Sequence, residues 1–217
     1  QGADELVMLD VSATPEGRGT QVETIRAIRA GIALPLTVGG GVREKDDAGR
    51  LLSAGADKVA VNTAAVDTPE LLGAIAEHYG TQCTVLAIDA AAYEPDENGA
   101  QRAGWEVVVR SGKVRTGLDA VQWAIKAQAL GVGEILLTSW DRDGTRSGYD
   151  QALVHAIASA VHIPVIASGG AASASHMVDA LNAGADAVLA ASIFHDGEYT
   201  VNQIKTELKH AGFEVRQ

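Results

Sequence analysis

The chain has 217 residues, of which 47% are hydrophobic and 21% charged, and its formal net charge is −11. This length and composition predict one globular domain with a sizeable core. The acidic balance excludes nucleic acid as a general partner, and no apolar run reaches the roughly 18 residues of a membrane helix. Because Cys83 is the one cysteine, a disulfide framework is excluded, and we expect a soluble cytoplasmic protein.

Seven strand-like apolar runs alternate with amphipathic helix patterns along the chain. The strands are predicted at residues 6–9, 36–38, 59–61, 85–88, 135–138, 165–167 and 188–190. The helices are predicted at residues 20–30, 45–54, 69–79, 118–130, 151–160, 173–183 and 201–210. Continuous apolar strands that alternate with helices are typical of a parallel sheet covered by helices.

Polar residues or glycines follow the predicted strands. They are Asp10, Gly39, Gly40, Gly41, Asn62, Thr63, Asp89, Ser139, Ser168, Gly169, Gly170 and Ser192. In a parallel sheet these positions meet at one edge, and this is the layout of the (β/α)₈ TIM barrel, an α/β fold whose chemistry lies at the C-terminal face. The sequence therefore predicts a member of this fold family.

One long segment, residues 90–116, interrupts the alternation. It contains a strand-like run from Trp105 to Arg110 and then a turn at Ser111 and Gly112. Together with the preceding strand, this pattern predicts a hairpin over the C-terminal face. Long loops at this face are often functional, so the hairpin either covers a substrate or is a solvated insertion.

The chain contains an internal repeat with a constant offset of 129 residues. The matching pairs are Pro35 and Pro164, Gly40 and Gly169, Gly41 and Gly170, Asp57 and Asp186, and Val59 and Val188. Glycine pairs at strand ends let backbone N–H groups approach an anion, and each copy then supplies a hydroxyl, at Thr63 or Ser192. We call each of these anion-binding glycine turns, together with its hydroxyl, a cradle. Two such cradles predict a ligand with two phosphates. The alternative is that any two βαβ units share glycine turns and apolar strands.

The repeat also predicts an incomplete barrel. Subtracting the offset from the strand that ends at Asp89 gives a position before residue 1, and the opening residues 1–4 resemble the helix-to-strand turns at 55–57 and 184–186. We therefore expect residues 1–217 to form a single domain with seven of eight βα units, which lacks strand 1 and most of helix 1. Open sheet edges then favour self-association.

Asp89 is the first candidate for proton transfer, because it ends a fully apolar strand beside the predicted cradles. Partial burial next to phosphates raises the pKa of a carboxyl group toward neutrality. The alternative is a carboxylate that caps a helix or forms an ion pair. Asp10 is the second candidate, and Asp143, Gly144 and Thr145 can add backbone and hydroxyl donors to the second cradle. The six histidines show no metal-ligand spacing, so we expect neither a metal nor a cofactor.

Several segments carry a resemblance to a known family. They are TVGGG at 37–41, ADKVAVNTAAV at 56–66, AIDA at 87–90, GEILLTSWDRDGTRSGYD at 133–150, IASGGA at 166–171 and LAASIFH at 189–195. The chain resembles, over its whole length, the cyclase subunit of imidazole glycerol phosphate synthase, from histidine biosynthesis. The DRDGT-to-GYD segment with its spacing is the most specific of these motifs.

The resemblance implies roles for individual residues. One phosphate site matches Gly41, Asn62 and Thr63, and the other matches Asp143, Gly144, Gly170, Ala191 and Ser192. Asp89 matches one of two catalytic aspartates, and the other ends strand 1, which has no counterpart here. Glu5, Lys58 and Glu134 match charged residues that ring the entrance at the opposite end of the barrel.

The family's activity is likewise implied by the resemblance. Ammonia from a glutaminase subunit enters the barrel and reacts with a bisphosphorylated ribulosyl-aminoimidazole precursor, which gives imidazole glycerol phosphate and an aminoimidazole carboxamide ribotide. Since one catalytic aspartate has no counterpart, we expect weak activity of this chain alone. Two alternatives stay open: the sister bisphosphate isomerase of the same pathway, and a non-catalytic phosphate-binding assembly module.

Overall fold

A mostly parallel sheet with helices on its outer side forms the described part of the chain, residues 2–10, 20, 22–100 and 102–216 of the computed structural model. The strands are β1 Leu6–Leu9, β2 Leu36–Gly39, β3 Lys58–Val61, β4 Thr84–Ala92, β5 Trp105–Val109, β6 Val114–Asp119, β7 Glu134–Ser139, β8 Val165–Ser168 and β9 Ala187–Val188. The helices are α1 Val22–Gly31, α2 Lys45–Ser53, α3 Thr63–Asp67, α4 Glu70–Tyr79, α5 Ala120–Ala129, α6 Gln151–Ala158, α7 Ala174–Asn182, α8 Ser192–His195 and α9 Val201–His210.

The parallel strands follow the order β1, β2, β3, β4, β7, β8, β9, and the hairpin of β5 and β6 pairs with β4. Each neighbouring pair on this path is parallel, as predicted. A large apolar core lies between the strands and the helices. The described architecture confirms a member of the (β/α)₈ barrel family.

The sheet curls around an apolar interior of its own. This second cluster combines side chains from β1, β3, β4, β7 and β8 with one residue just after β9, namely Val7, Ala60, Val85, Ala87, Leu136, Ile166 and Leu189. β1 and β7 are four strand positions apart, which would be about 19 Å in a flat sheet. Nevertheless, Glu5 ahead of β1 and Glu134 of β7 both contact the ammonium of Lys58. The sheet therefore closes part of the way into a barrel.

The two copies of the internal repeat form equivalent hydrogen bonds. The N–H of Leu36 donates to Asp57 Oδ2 at 2.7 Å, and the N–H of Val165 donates to Asp186 Oδ2 at 2.9 Å. In return, Asp57 and Asp186 each donate their own N–H to the carbonyl of the same strand residue. In each copy of the repeat, two hydrogen bonds therefore join the first residue of a strand to an aspartate in the turn after the next helix.

The hairpin is packed into the fold. Asp89 of β4 pairs with Val108 of β5, and residues 107–109 are buried. The indole N–H of Trp105 donates to Asp150 Oδ2 at 3.1 Å, and the N–H of Ala92 donates to Asp141 Oδ2 at 2.7 Å. The strands of the hairpin are therefore packed against the fold, whereas residues 94–100 are exposed, as a solvated insertion would be.

Most predicted boundaries differ from the structure by one or two residues, and three differences have a structural reason. β4 is longer than predicted because its second half pairs with the hairpin. Leu118 belongs to β6 rather than to the next helix, and Asp119 caps α5 by accepting from the N–H groups of Val121 and Gln122. β9 ends at Val188, although the N–H of Leu189 still donates to Ala167 O. The short helices α3 and α8 were not predicted, since four or five residues give no periodic pattern.

β1 and β9 are the two ends of the sheet path, and no strand pairing joins them within the described ranges. α9 approaches this opening, where the Lys205 ammonium contacts Asp4 Oδ1 at 2.7 Å. Gln1, the first residue of the predicted opening turn, and Gln21, in the first predicted helix, lie outside the described residues. No helix of the described chain is long and apolar enough to cross a membrane.

Candidate functional site

Two interior side chains meet at the C-terminal face. Side chains alternate along a strand, and Ala60 and Ala87 line the interior, so Asn62 and Asp89, two positions further on, point the same way. The amide Nδ2 of Asn62 donates to Asp89 Oδ2 at 2.9 Å. The other amide atom of Asn62, Oδ1, is buried and has no hydrogen-bond partner among the described residues.

Burial is the main cause that raises the pKa of Asp89, to about 6. The hydrogen bond from Asn62 lowers this pKa, while the negative charge of Asp143 raises it. A carboxyl group with such a pKa is present in both protonation states near neutral pH, which suits proton transfer. Asp89 lies inside β4 and in no ion pair of the described chain, so the cap and ion-pair alternatives are not supported.

Asp10 has a different position from Asp89. Its N–H donates to Gly39 O at 2.9 Å, which continues the ladder of β1 and β2 by one residue. The side chain of Val7 lines the interior, and by strand alternation the side chain of Asp10, three positions further on, points to the opposite face of the sheet. The polar groups that act on the pKa of Asp89 are Asn62 and Asp143, and Asp10 is not among them.

The first glycine pair forms a tight turn after β2. Gly40 and Gly41 have positive φ angles of 98° and 68°. A Cβ on Gly40 would lie 2.2 Å from Asp10 O, so no other residue fits there. Asn62, with φ −120° and ψ −93°, precedes α3, which begins at Thr63. This arrangement places bare backbone and a hydroxyl at the ends of adjacent strands.

The second glycine pair repeats this geometry after β8. Gly169 and Gly170 have φ angles of 89° and 94°, and a Cβ on Gly170 would lie 2.3 Å from Gly148 O. Ala191, with φ −122° and ψ −66°, has a backbone close to that of Asn62 and precedes α8, which begins at Ser192. The predicted equivalence of the two glycine turns therefore extends to their backbone geometry.

The loop after β7 lies beside the second glycine pair. The N–H of Asp143 donates to Ser139 O at 2.9 Å, and the position of a Cβ on Gly169 is 3.4 Å from Asp143 Cα. Gly144 follows with a φ of 71° and no atom within 4 Å of its Cβ position. The structure thus brings Asp143 together with the loop of β8.

A charged cluster lies at the opposite end of the interior. The Lys58 ammonium contacts Glu5 Oε2 at 2.9 Å and Glu134 Oε2 at 2.6 Å. Burial lowers the pKa of Lys58, but the hydrogen bonds and charges of Glu134 and Glu5 outweigh it, so the pKa is raised. The three predicted entrance residues therefore form one connected group.

Two contacts of the site were missed by reasoning from the sequence. One is the hydrogen bond between Asn62 and Asp89. The sequence held a signal for it, because strand alternation makes both side chains point to the same face of the sheet. The other is the hydrogen bond from the N–H of Arg110, at the hairpin tip, to Thr63 Oγ1 at 3.2 Å, for which the sequence holds no signal. Among the described residues, no three His, Cys, Asp or Glu side chains lie together as metal ligands.

Comparisons with known proteins identify the family to which the chain is similar. The family model described as "Histidine biosynthesis protein" matches residues 1–200. The imidazole glycerol phosphate synthase subunit HisF of Nocardia farcinica is 52% identical over 216 residues, which cover all of this chain and 84% of that protein. HisF of Corynebacterium diphtheriae is also 52% identical, with 83% of that protein covered. These relatives favour neither the isomerase nor the assembly module. The chain belongs to the histidine biosynthesis family that includes the HisF subunits of imidazole glycerol phosphate synthase.

Proposed function

We propose that this chain carries the cyclase reaction of imidazole glycerol phosphate synthase. Ammonia and a bisphosphorylated ribulosyl-aminoimidazole precursor give imidazole glycerol phosphate and an aminoimidazole carboxamide ribotide. The observation that carries the proposal is the position of Asp89, a buried carboxyl group with a pKa of about 6, at a face with two equivalent glycine turns.

Asp89 is the proton-transfer residue of this proposal. Ring closure and release of the ribotide both need protons moved at the reacting atoms, and a group with a pKa near the working pH does this efficiently. Asn62 holds the carboxyl group by its hydrogen bond. Asp10 is the second candidate from the sequence, and its strand phase makes it the weaker one.

The two glycine turns hold the two phosphates. Gly41, Asn62 and Thr63 form the first site, and the second consists of Asp143, Gly144, Gly170, Ala191 and Ser192. Backbone N–H groups and hydroxyls carry most of this binding, because the chain is acidic overall and its general field repels anions. A substrate bound at both ends then lies across β4 and Asp89.

The entrance group of Glu5, Lys58 and Glu134 admits ammonia from a glutaminase partner subunit. Its position at the opposite end of the interior from Asp89 supports a route along the barrel axis. The interior between the two ends is lined by small and aliphatic side chains such as Ala60 and Ala87. Ammonia passes such a lining in its neutral form.

The experiment is an assay of ammonia-dependent cyclisation with the native chain, Asp89→Asn and a control, Asp67→Asn, which changes an exposed carboxylate at the end of α3. We expect weak turnover in the native chain and in the control, and a further loss of about 10²- to 10⁴-fold in Asp89→Asn. Equal turnover in all three proteins would remove Asp89 from the mechanism. Isomerase activity without cyclisation would replace the proposed function.

A further inference from the structure

Trp140 is a large aromatic side chain that stays 40% exposed at the C-terminal face. It directly follows β7, and its N–H donates to Ala90 O at 2.8 Å, so the ladder with β4 continues to this residue. Leu136 of the same strand lines the barrel interior. By strand alternation, the side chain of Trp140 points to the same side of the sheet as that of Leu136 and lies at the C-terminal end of the interior.

The hairpin tip is fitted to this indole ring. A Cβ on Gly112 would lie 1.9 Å from Trp140 Cζ2 and 2.1 Å from Cε2, so only a glycine allows this contact. The two preceding residues, Arg110 and Ser111, have φ angles of 55° and 56°, which non-glycine residues rarely adopt. The contact with Trp140 is therefore made by a tip whose backbone has an uncommon conformation.

The hairpin tip contacts residues that follow both strands flanking β4, the strand that carries Asp89. It touches Trp140 after β7, and the N–H of Arg110 donates to Thr63 Oγ1 after β3. β4, which carries Asp89, lies between β3 and β7 in the sheet. The tip and Trp140 therefore connect the ends of the two strands that flank β4, and Trp140 is still 40% exposed.

We propose that the exposed part of Trp140 is the surface on which the heteroaromatic ring of the substrate stacks. The inference rests on the proposed function, which places one phosphate near Thr63 and the other near Gly170, with the middle of the ligand across β4 and β7. The aminoimidazole ring belongs to that middle part. A planar heteroaromatic ring gains from stacking on an indole, and burial of the exposed indole adds to this gain.

The test compares two probes with the native chain, Trp140→Ala and Trp140→Phe by calorimetry. The first probe is aminoimidazole carboxamide ribotide, which has a ring and a phosphate. The second is glycerol 3-phosphate, which has a phosphate and no ring. Ile125→Ala is the control variant, since Ile125 is also exposed, at 39%, but lies on α5.

We expect Trp140→Ala to weaken binding of the ribotide about 5- to 100-fold. Trp140→Phe should recover most of the affinity, because phenylalanine also stacks. Binding of glycerol 3-phosphate should be the same in all variants, and Ile125→Ala should leave both probes unchanged. The ribotide should also quench the tryptophan fluorescence of the native chain more than that of Trp140→Phe.

Two results would overturn the inference and leave the proposed function standing. One is unchanged ribotide binding in Trp140→Ala. The other is an equal loss for both probes, since this would mean that Trp140 supports the fold of the face rather than the ring. If neither probe bound the native chain, the proposed function would fail and this inference with it.

Discussion

At the scale of single residues, Asp89 combines burial with a raised pKa, and this combination costs stability. The pKa is about 6 in the folded chain, against 3.8 for an unperturbed carboxyl group. The stability that comes from protonated Asp89 is fully present below pH 3.8 and is lost as the pH rises through 6. Above pH 6 the folded chain therefore carries a penalty of up to about 3 kcal/mol.

We predict that Asp89→Asn stabilises the chain at pH 8 by about 1–3 kcal/mol, because the amide has no charge to bury and still accepts from Asn62. Urea unfolding at pH 8 and pH 4.5 measures this. The gain should shrink at pH 4.5, where Asp89 is already protonated in the fold. A gain of the same size at both pH values would show that ionisation of Asp89 is not its cause.

A second prediction concerns the pH dependence of activity. The profile of kcat/KM should have a limb near pH 6 that reports Asp89. Asn62→Ala removes the hydrogen bond that lowers the pKa of Asp89, so this limb should move to higher pH. Asp67→Asn serves as the control and should leave the limb in place. A limb that stayed at the same pH in Asn62→Ala would assign it to another group.

At the scale of elements, the two copies of the repeat share a hydrogen bond at the turn that connects a helix to the following strand. Asp57 and Asp186 each accept from the first N–H of a neighbouring strand. We predict that Asp57→Ala and Asp186→Ala each destabilise the chain by about 1–2 kcal/mol, since each leaves that N–H without its acceptor. Chemical denaturation measures both. Asp57→Ala should cost somewhat more, because Asp57 also pairs with Arg29. A large cost in one copy and none in the other would contradict an equivalent role in the two copies.

At the scale of the whole molecule, Lys58 joins strands that are far apart in the sheet order. Lys58→Met leaves Glu5 and Glu134 without their shared cation, and we predict a loss of about 1–3 kcal/mol, below the range for fully buried pairs because these side chains keep some exposure. Changing both glutamates to glutamine in the same variant should recover most of the loss. Thermal unfolding of the single and triple variants measures this, and no recovery would mean that the aliphatic chain of Lys58 matters more than its charge.

The open ends of the sheet lead to a prediction about association. Among the residues that the structure describes, no strand pairs with the outer edges of β1 and β9, and unpaired edges favour pairing with another copy. We expect a concentration-dependent rise in mass by light scattering. Leu9→Lys places a charge at the β1 edge, where Leu9 is 43% exposed, and should reduce this rise. Ile125→Lys, on α5, should not. A constant monomeric mass at high concentration would refute the prediction.

The sequence by itself determined the parallel α/β fold, the repeat, the glycine turns and the interior position of Asp89. These are local properties: glycine is strongly favoured where φ is positive, and the alternation of a strand fixes which side chains share a face. For this reason the prediction of matching turns 129 residues apart agrees with the backbone angles of both copies.

Only the tertiary structure decided which of these residues meet. The contacts of Asn62 with Asp89, of Arg110 with Thr63 and of Lys58 with Glu134 join residues 27, 47 and 76 positions apart. They depend on the order of the strands, on the curl that brings β1 and β7 to one lysine, and on the docking of the hairpin tip against Trp140. No local pattern encodes these distances, because they follow from the packing of the whole sheet around its interior.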